Sequence, residues 1–173
     1  MAVLVAAVSL TACTADSPPK TDSAGVTGEP TTGDGVRLVR TGACGDAFFW
    51  AETADRTTAV AVSVLYSRPS GPSPTVTIPF SLPHDPVVTV QVLTGQNLSR
   101  NFCTDLPATG SEPTTTTSAS AGDGQVTIAP PPQDGSGCGR TKGTLSLSGL
   151  ATDDGRTFDP ITVTSTDIGC FAG

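Results

Sequence analysis

The sequence predicts an all-β protein built from antiparallel strands. Three observations carry that expectation. Apolar and polar residues alternate with period two in segment after segment, which turns one face of each strand to a core and the other to water. Val, Thr and Ser are abundant, and 19 Gly and 15 Pro in 173 residues suit strands and turns rather than helices. No stretch shows the i, i+3, i+4 recurrence of an amphipathic helix or the run of about 18 apolar residues that crosses a bilayer.

The first segment has a different character. Ala2-Val3-Leu4-Val5-Ala6-Ala7-Val8-Ser9-Leu10-Thr11 is uncharged and almost wholly apolar, too short to span a membrane and suited to the h-region of an export signal. It ends in Leu10-Thr11-Ala12-Cys13, which resembles the lipobox of bacterial lipoproteins. The resemblance implies that residues 1–12 are a signal peptide, that the Cys13 thiol is lipidated and that cleavage leaves Cys13 as the new N-terminus. Acyl chains at Cys13 then make the membrane a partner, since two or more chains hold stably where one holds marginally. The basic n-region usual in such signals is missing before the run, so either translation starts upstream or the chain is trimmed. From Thr14 to about Gly35 the residues are small, polar, Pro and Gly, a composition too poor in apolar area to offset chain entropy. Residues 13–35 are therefore expected to be the lipidated Cys and a disordered tether, with a reach of about 25 Å.

The folded domain is expected over residues 36–173. Strands are predicted near Val36 to Arg40 and Ala47 to Glu52, and around Val60, Val62, Val64 and Tyr66, with Ala59, Ala61 and Ser63 on the opposite face. Val76, Ile78, Phe80 and Leu82 mark the next; Pro79 cannot donate to a ladder, so this strand belongs at an edge. Val88, Val90 and Val92, then Val126 and Ile128, Leu145 and Leu147, and Ile161 and Val163 complete about eight strands. Turn residues separate them at Arg68-Pro69-Ser70-Gly71-Pro72, Pro83-His84-Asp85-Pro86, Thr94-Gly95-Gln96-Asn97 and Asp153-Asp154-Gly155. Strands with one apolar face each are expected to pair into two sheets packed face to face, a β-sandwich of immunoglobulin-like architecture. The Thr- and Ser-rich stretch over residues 107–124 reads as a low-complexity loop.

Beyond Cys13 there are four cysteines, Cys44, Cys103, Cys138 and Cys170, an even number that in an exported chain points to two disulfides. Three connectivities are open. If Leu150 and Ile161 flank the Asp-Asp-Gly turn, Cys170 faces position 141, a short step from Cys138. That favours Cys138–Cys170 and leaves Cys44–Cys103. Four thiolates on zinc are a poor alternative without a Cys-x₂-Cys pair.

Candidate chemistry is sparse. A net charge of −7 opposes nucleic-acid binding, which needs a basic stripe. His84 is the one histidine, and a hydrolase would have to use it with a carboxylate such as Asp85, yet no Gly-x-Ser-x-Gly elbow is present. Glu52 and Asp55 could form a carboxylate pair for glycoside cleavage, but the chain offers little aromatic lining for a sugar. Asp153, Asp154 and Asp159 could offer oxygens to Ca²⁺, although Asp-Gly serves equally as a hairpin turn. No metal, cofactor or catalytic residue is assigned. In Phe48-Phe49-Trp50 the aromatics must face both ways on a strand; the expectation places Phe48 and Trp50 in the core and makes Phe49 the candidate partner-binding residue. Asn97-Leu98-Ser99 matches a glycosylation sequon that bacteria normally leave idle.

The segments Cys44-Gly45-Asp46-Ala47-Phe48-Phe49-Trp50-Ala51, Asn101-Phe102-Cys103-Thr104-Asp105-Leu106 and Ile161-Thr162-Val163-Thr164-Ser165-Thr166-Asp167-Ile168-Gly169-Cys170 are similar to those of uncharacterised lipoproteins of high-GC Gram-positive bacteria. The resemblance implies an extracytoplasmic, lipid-anchored address and carries no activity. The expectation is a non-enzymatic envelope module that binds an envelope protein or a cell-wall component, with a secreted hydrolase as the alternative.

Overall fold

The computed structural model describes residues 35–67, 74–131 and 139–169. The signal segment, Cys13 and nearly all of the tether lie outside the described residues, as do Cys138 and Cys170.

Among the described residues eight strands form: β1 Arg40–Cys44, β2 Phe48–Glu52, β3 Thr58–Val64, β4 Val76–Leu82, β5 Val88–Gly95, β6 Pro113–Ile128, β7 Thr141–Thr152 and β8 Ile161–Ile168. One short 3₁₀ helix, Leu98–Asn101, follows β5. Every pairing between these strands is antiparallel. The inward side chains meet in one core that holds Phe49, Val60, Val62, Val90, Val92, Val126, Ile128, Leu145, Leu147, Ile161, Val163 and Ile168.

The sandwich expectation needs correction. The strands run as one sheet in the order β1-β2-β3-β5-β6-β7-β8, with β4 paired to β6 off that path. β6 is the reason two separate sheets do not form. Its first part pairs with β5 and its second part with β4, while β7 pairs along its length from Ala119. Register shifts between Ala119 and Asp123 bend it, and Gly122 at φ 145° occupies a backbone region open to glycine and few others. The bent sheet rolls until β1 lies beside β8, where the Gly169 amide donates to the Gly45 carbonyl at 2.7 Å. The result is a nearly closed barrel, an arrangement that leaves few exposed strand edges. β4 pairs with β6 alone, the edge position that Pro79 predicts.

Three further expectations shift. The stretch read as a loop over 107–124 is strand from Pro113 onward: Thr115, Thr116 and Thr117 pair with Thr94, Leu93 and Val92 of β5. β-Branched Thr is a good strand former even where no apolar alternation announces it. The segment expected as a strand from Val36 to Arg40 makes one bridge, Val36 to Phe158, and the first strand begins at Arg40. The β7–β8 register differs as well, because Leu147 rather than Leu150 stands opposite Ile161. Leu150 accepts from the Phe158 amide instead, and Pro160 intervenes before β8 starts. The Asp153-Asp154-Gly155 turn itself is present, with Gly155 at φ 84°.

Candidate functional site

The most elaborate surface feature is a strap. Between β5 and β6 the chain crosses the outer face of β1, β2 and β3, and the side chains beneath it explain the crossing. Ala59 and Ala61 on β3, with Leu93 on β5, make a shallow apolar trough that Leu98 fills; all four are buried. Alanines are needed there, because larger side chains would lift the 3₁₀ turn off the sheet.

Beside Leu98 sits a polar anchor. Glu52 is on the outer face of β2, yet its exposure is 0% because the strap covers it. Its Oε1 accepts from the Ser99 amide at 3.0 Å and its Oε2 from the Ser99 hydroxyl at 2.8 Å. Arg40 Nε on β1 lies 3.6 Å from Oε2. A buried carboxylate is tolerated when its oxygens are occupied in this way.

The third anchor is aromatic and covalent. The Phe102 ring stands 5.5 Å from Phe48, edge to face, and 5.6 Å from Trp50. Cys103 forms a disulfide with Cys44 on β1. Gly42, opposite Trp50 in the β1–β2 ladder, leaves room for the indole: a Cβ there would stand 2.6 Å from its Cζ2. Phe48, Trp50 and Phe102 are all half-buried, and together they present the one aromatic surface among the described residues.

This geometry overturns the reading of the aromatic triplet. Phe49, the candidate partner-binding residue, points into the core at 0% exposure, and Phe48 and Trp50 face outward. The phase of β2 is set by its partners: Phe49 pairs with Val62 and Ala43, both buried, whereas Phe48 and Trp50 pair with Ser63 and Ala61 on the strap side. Nothing in the sequence context of Phe102 and Ser99 points to their contacts with β2. The one signal for Phe102 is its place beside Cys103, which fixes it near β1.

The other candidates are dispersed. His84 is exposed, and Asp85 does not orient it; the Asp85 carboxylate accepts from the amides of Val87 and Val88, each at 2.8 Å, and shapes the turn before β5. Glu52 and Asp55 do not act as a pair. Glu52 holds the strap, while Asp55 accepts from the hydroxyls of Thr53 at 2.6 Å and Thr57 at 3.0 Å in the β2–β3 turn. Those two hydroxyls, Thr53 first, hold the Asp55 carboxyl below the usual carboxylate range. Asp154 is paired with Arg156, whose Nε donates at 2.9 Å, and also accepts from the Thr152 hydroxyl. The guanidinium, and then the hydroxyl, lower its carboxyl to about 2. Arg156 reaches on to Thr94 at 3.3 Å and Thr117 at 3.4 Å, so this group stitches the β7–β8 turn to β5 and β6. The Asp159 amide donates to the Val36 carbonyl, and Asp153 is exposed. Among the described residues no group of His, Cys, Asp and Glu is arranged to hold a metal ion. In the sequon, Leu98 is buried and Ser99 is bound to Glu52.

Comparison of the chain with protein-family models, with curated proteins and with solved structures gives no match.

Proposed function

We propose that the chain is an exported envelope lipoprotein, held at the outer face of the cell membrane by acyl chains on Cys13, whose β-domain is a non-enzymatic binding or structural module. The observation that carries this reading is the apolar run ending in Leu10-Thr11-Ala12-Cys13, followed by a Pro- and Ser-containing tether. The Cys44–Cys103 disulfide supports it, because such cross-links persist in oxidising compartments outside the cytoplasm. A second disulfide, Cys138–Cys170, belongs to the same reading. Where β7 begins and β8 ends, Thr141 stands opposite Ile168, three residues after Cys138 and two before Cys170 in the sequence.

Within the domain, the half-buried cluster of Phe48, Trp50 and Phe102 is the candidate contact for an envelope protein or a cell-wall component, since it gathers three aromatic rings on the outer face of the sheet. A hydrolase reading draws no support from the placement of His84, Glu52 and Asp55, each engaged in or exposed at a different turn or strand.

The test is fractionation of cells that express the full chain and its Cys13→Ser variant. The parent sediments with membranes and carries a lipid-sized mass increment on Cys13, while the variant appears in the soluble fraction or the medium. A variant that stays on membranes, or a parent without added mass at Cys13, refutes the anchor.

A further inference from the structure

We propose that the Cys44–Cys103 disulfide is a thiol-exchange latch, opened by a dithiol, and that its opening releases the far half of the strap and bares the aromatic surface of β2. The argument begins with how unevenly the strap is fastened. Its first half is held by the burial of Leu98, by both Ser99 bonds to Glu52 and by the Asn97 amide on the Arg56 carbonyl. From Arg100 to Gly110 no hydrogen bond reaches any strand among the described residues. The bonds there are internal, such as the Ala108 amide on Asn101 Oδ1 and the Leu106 amide on the Thr104 hydroxyl. Cys103, Thr104, Asp105, Leu106 and Pro107 are all exposed. The disulfide and the Phe102 ring contacts are the links from this half to the sheet that can be named among the described residues.

The cross-link is also open to attack from one side. Cys103 is the more exposed residue of the pair, Cys44 being half-buried on β1, so the exchange is written from the Cys103 side. Cys103 further sits at φ 57°, a backbone region that residues other than glycine seldom occupy.

The chemistry balances with a dithiol as reductant. One thiolate of the dithiol attacks the Cys103 sulfur, the S–S bond breaks, and the Cys44 thiolate leaves and takes up a proton. The second thiol of the dithiol, deprotonated, attacks its own sulfur in the mixed disulfide and expels Cys103 as a thiol. Two electrons and two protons pass to the cysteines, and the dithiol ends as its disulfide. With Cys103 free, its backbone can leave the left-handed region and draw Phe102 away. Phe48 and Trp50 then gain solvent exposure while the ladders of the barrel, none of which includes residues 98–112, stay paired.

The full chain reports on this directly, because Trp50 is the one tryptophan. The folded protein is titrated with dithiothreitol without denaturant and quenched with iodoacetamide. Peptide mass mapping then locates the alkylated cysteines, with Trp50 emission and far-UV circular dichroism read in parallel. The expected result is alkylation of Cys44 and Cys103, a red shift of Trp50 emission and an unchanged far-UV spectrum. The double variant Cys44→Ala/Cys103→Ala shows the same red shift before any reductant is added. Reduction of this bond only in denaturant, reduction with Trp50 emission unchanged, or loss of the far-UV spectrum on reduction or in the double variant overturns the latch.

Discussion

Truncating Phe49 to alanine, beside the same truncation of Phe48, measures which face of β2 carries the core. The two side chains are neighbours in sequence with equal hydrophobic content, so their difference isolates burial. Phe49 is wholly enclosed, its ring within reach of the Gly143 backbone, where a Cβ would stand 3.1 Å from its Cζ, and its removal leaves a cavity between β2, β7 and β8. Loss of a fully buried Phe costs about 3–5 kcal/mol, a transfer contribution plus a cavity contribution. Phe48 is half-buried, and its loss removes part of that area and one edge-to-face contact with Phe102, about 1–2 kcal/mol together. Against a typical total of about 5–15 kcal/mol, Phe49→Ala takes a large share and Phe48→Ala a small one. Urea unfolding with the Cys44–Cys103 disulfide intact, followed by far-UV circular dichroism, reads both. With a slope near 2 kcal/mol per molar, the midpoint falls by about 1.5–2.5 M for Phe49→Ala and by under about 1 M for Phe48→Ala. An equal or reversed order would place Phe48 inside and undo the strand phase on which the exposed aromatic surface rests.

Glu52→Ala strands the Ser99 amide and hydroxyl under the strap, at about 1–3 kcal/mol for each group left without a partner. Glu52→Gln keeps an acceptor for the amide and should lose less than half as much. Thermal unfolding ranks the pair, and hydrogen exchange at the Ser99 amide should quicken in the alanine variant; slow exchange there would refute the anchor. Asp154 is held by Arg156 and Thr152 with its carboxyl lowered to about 2, below the ordinary value of 3.8. A lowered folded-state value means that its stabilising share is present above 3.8 and lost as pH falls through about 2. Urea midpoints of the parent and of Asp154→Asn should therefore differ at pH 6 and converge near pH 2, and a constant gap across that range would show that the carboxylate is not the source.

Much of this protein was legible in its sequence because much of it is local. Val60, Val62 and Val64 alternate against Ala59, Ala61 and Ser63, and β3 forms with that division. Pro79 lacks an amide proton, and its strand lies at an edge. Asp153-Asp154-Gly155 turns the chain between β7 and β8. What tertiary structure alone decided depends on which surfaces meet. Thr114 to Thr117 have no apolar period to declare a strand, and β5 supplies the partner that makes them one. The triplet Phe48-Phe49-Trp50 alternates equally well in either phase; the choice falls to the small side chains of β3 and Gly42, which leave the outer face open for Leu98 and Phe102. The closing of one sheet into a barrel, rather than two facing sheets, rests on the bend of β6 at Gly122 and on β1 reaching β8, contacts between residues far apart in the chain. Periodicity fixes where strands lie and which residues share a face, since both follow from backbone geometry. It cannot say which face turns inward, because that depends on what the rest of the chain brings to cover it.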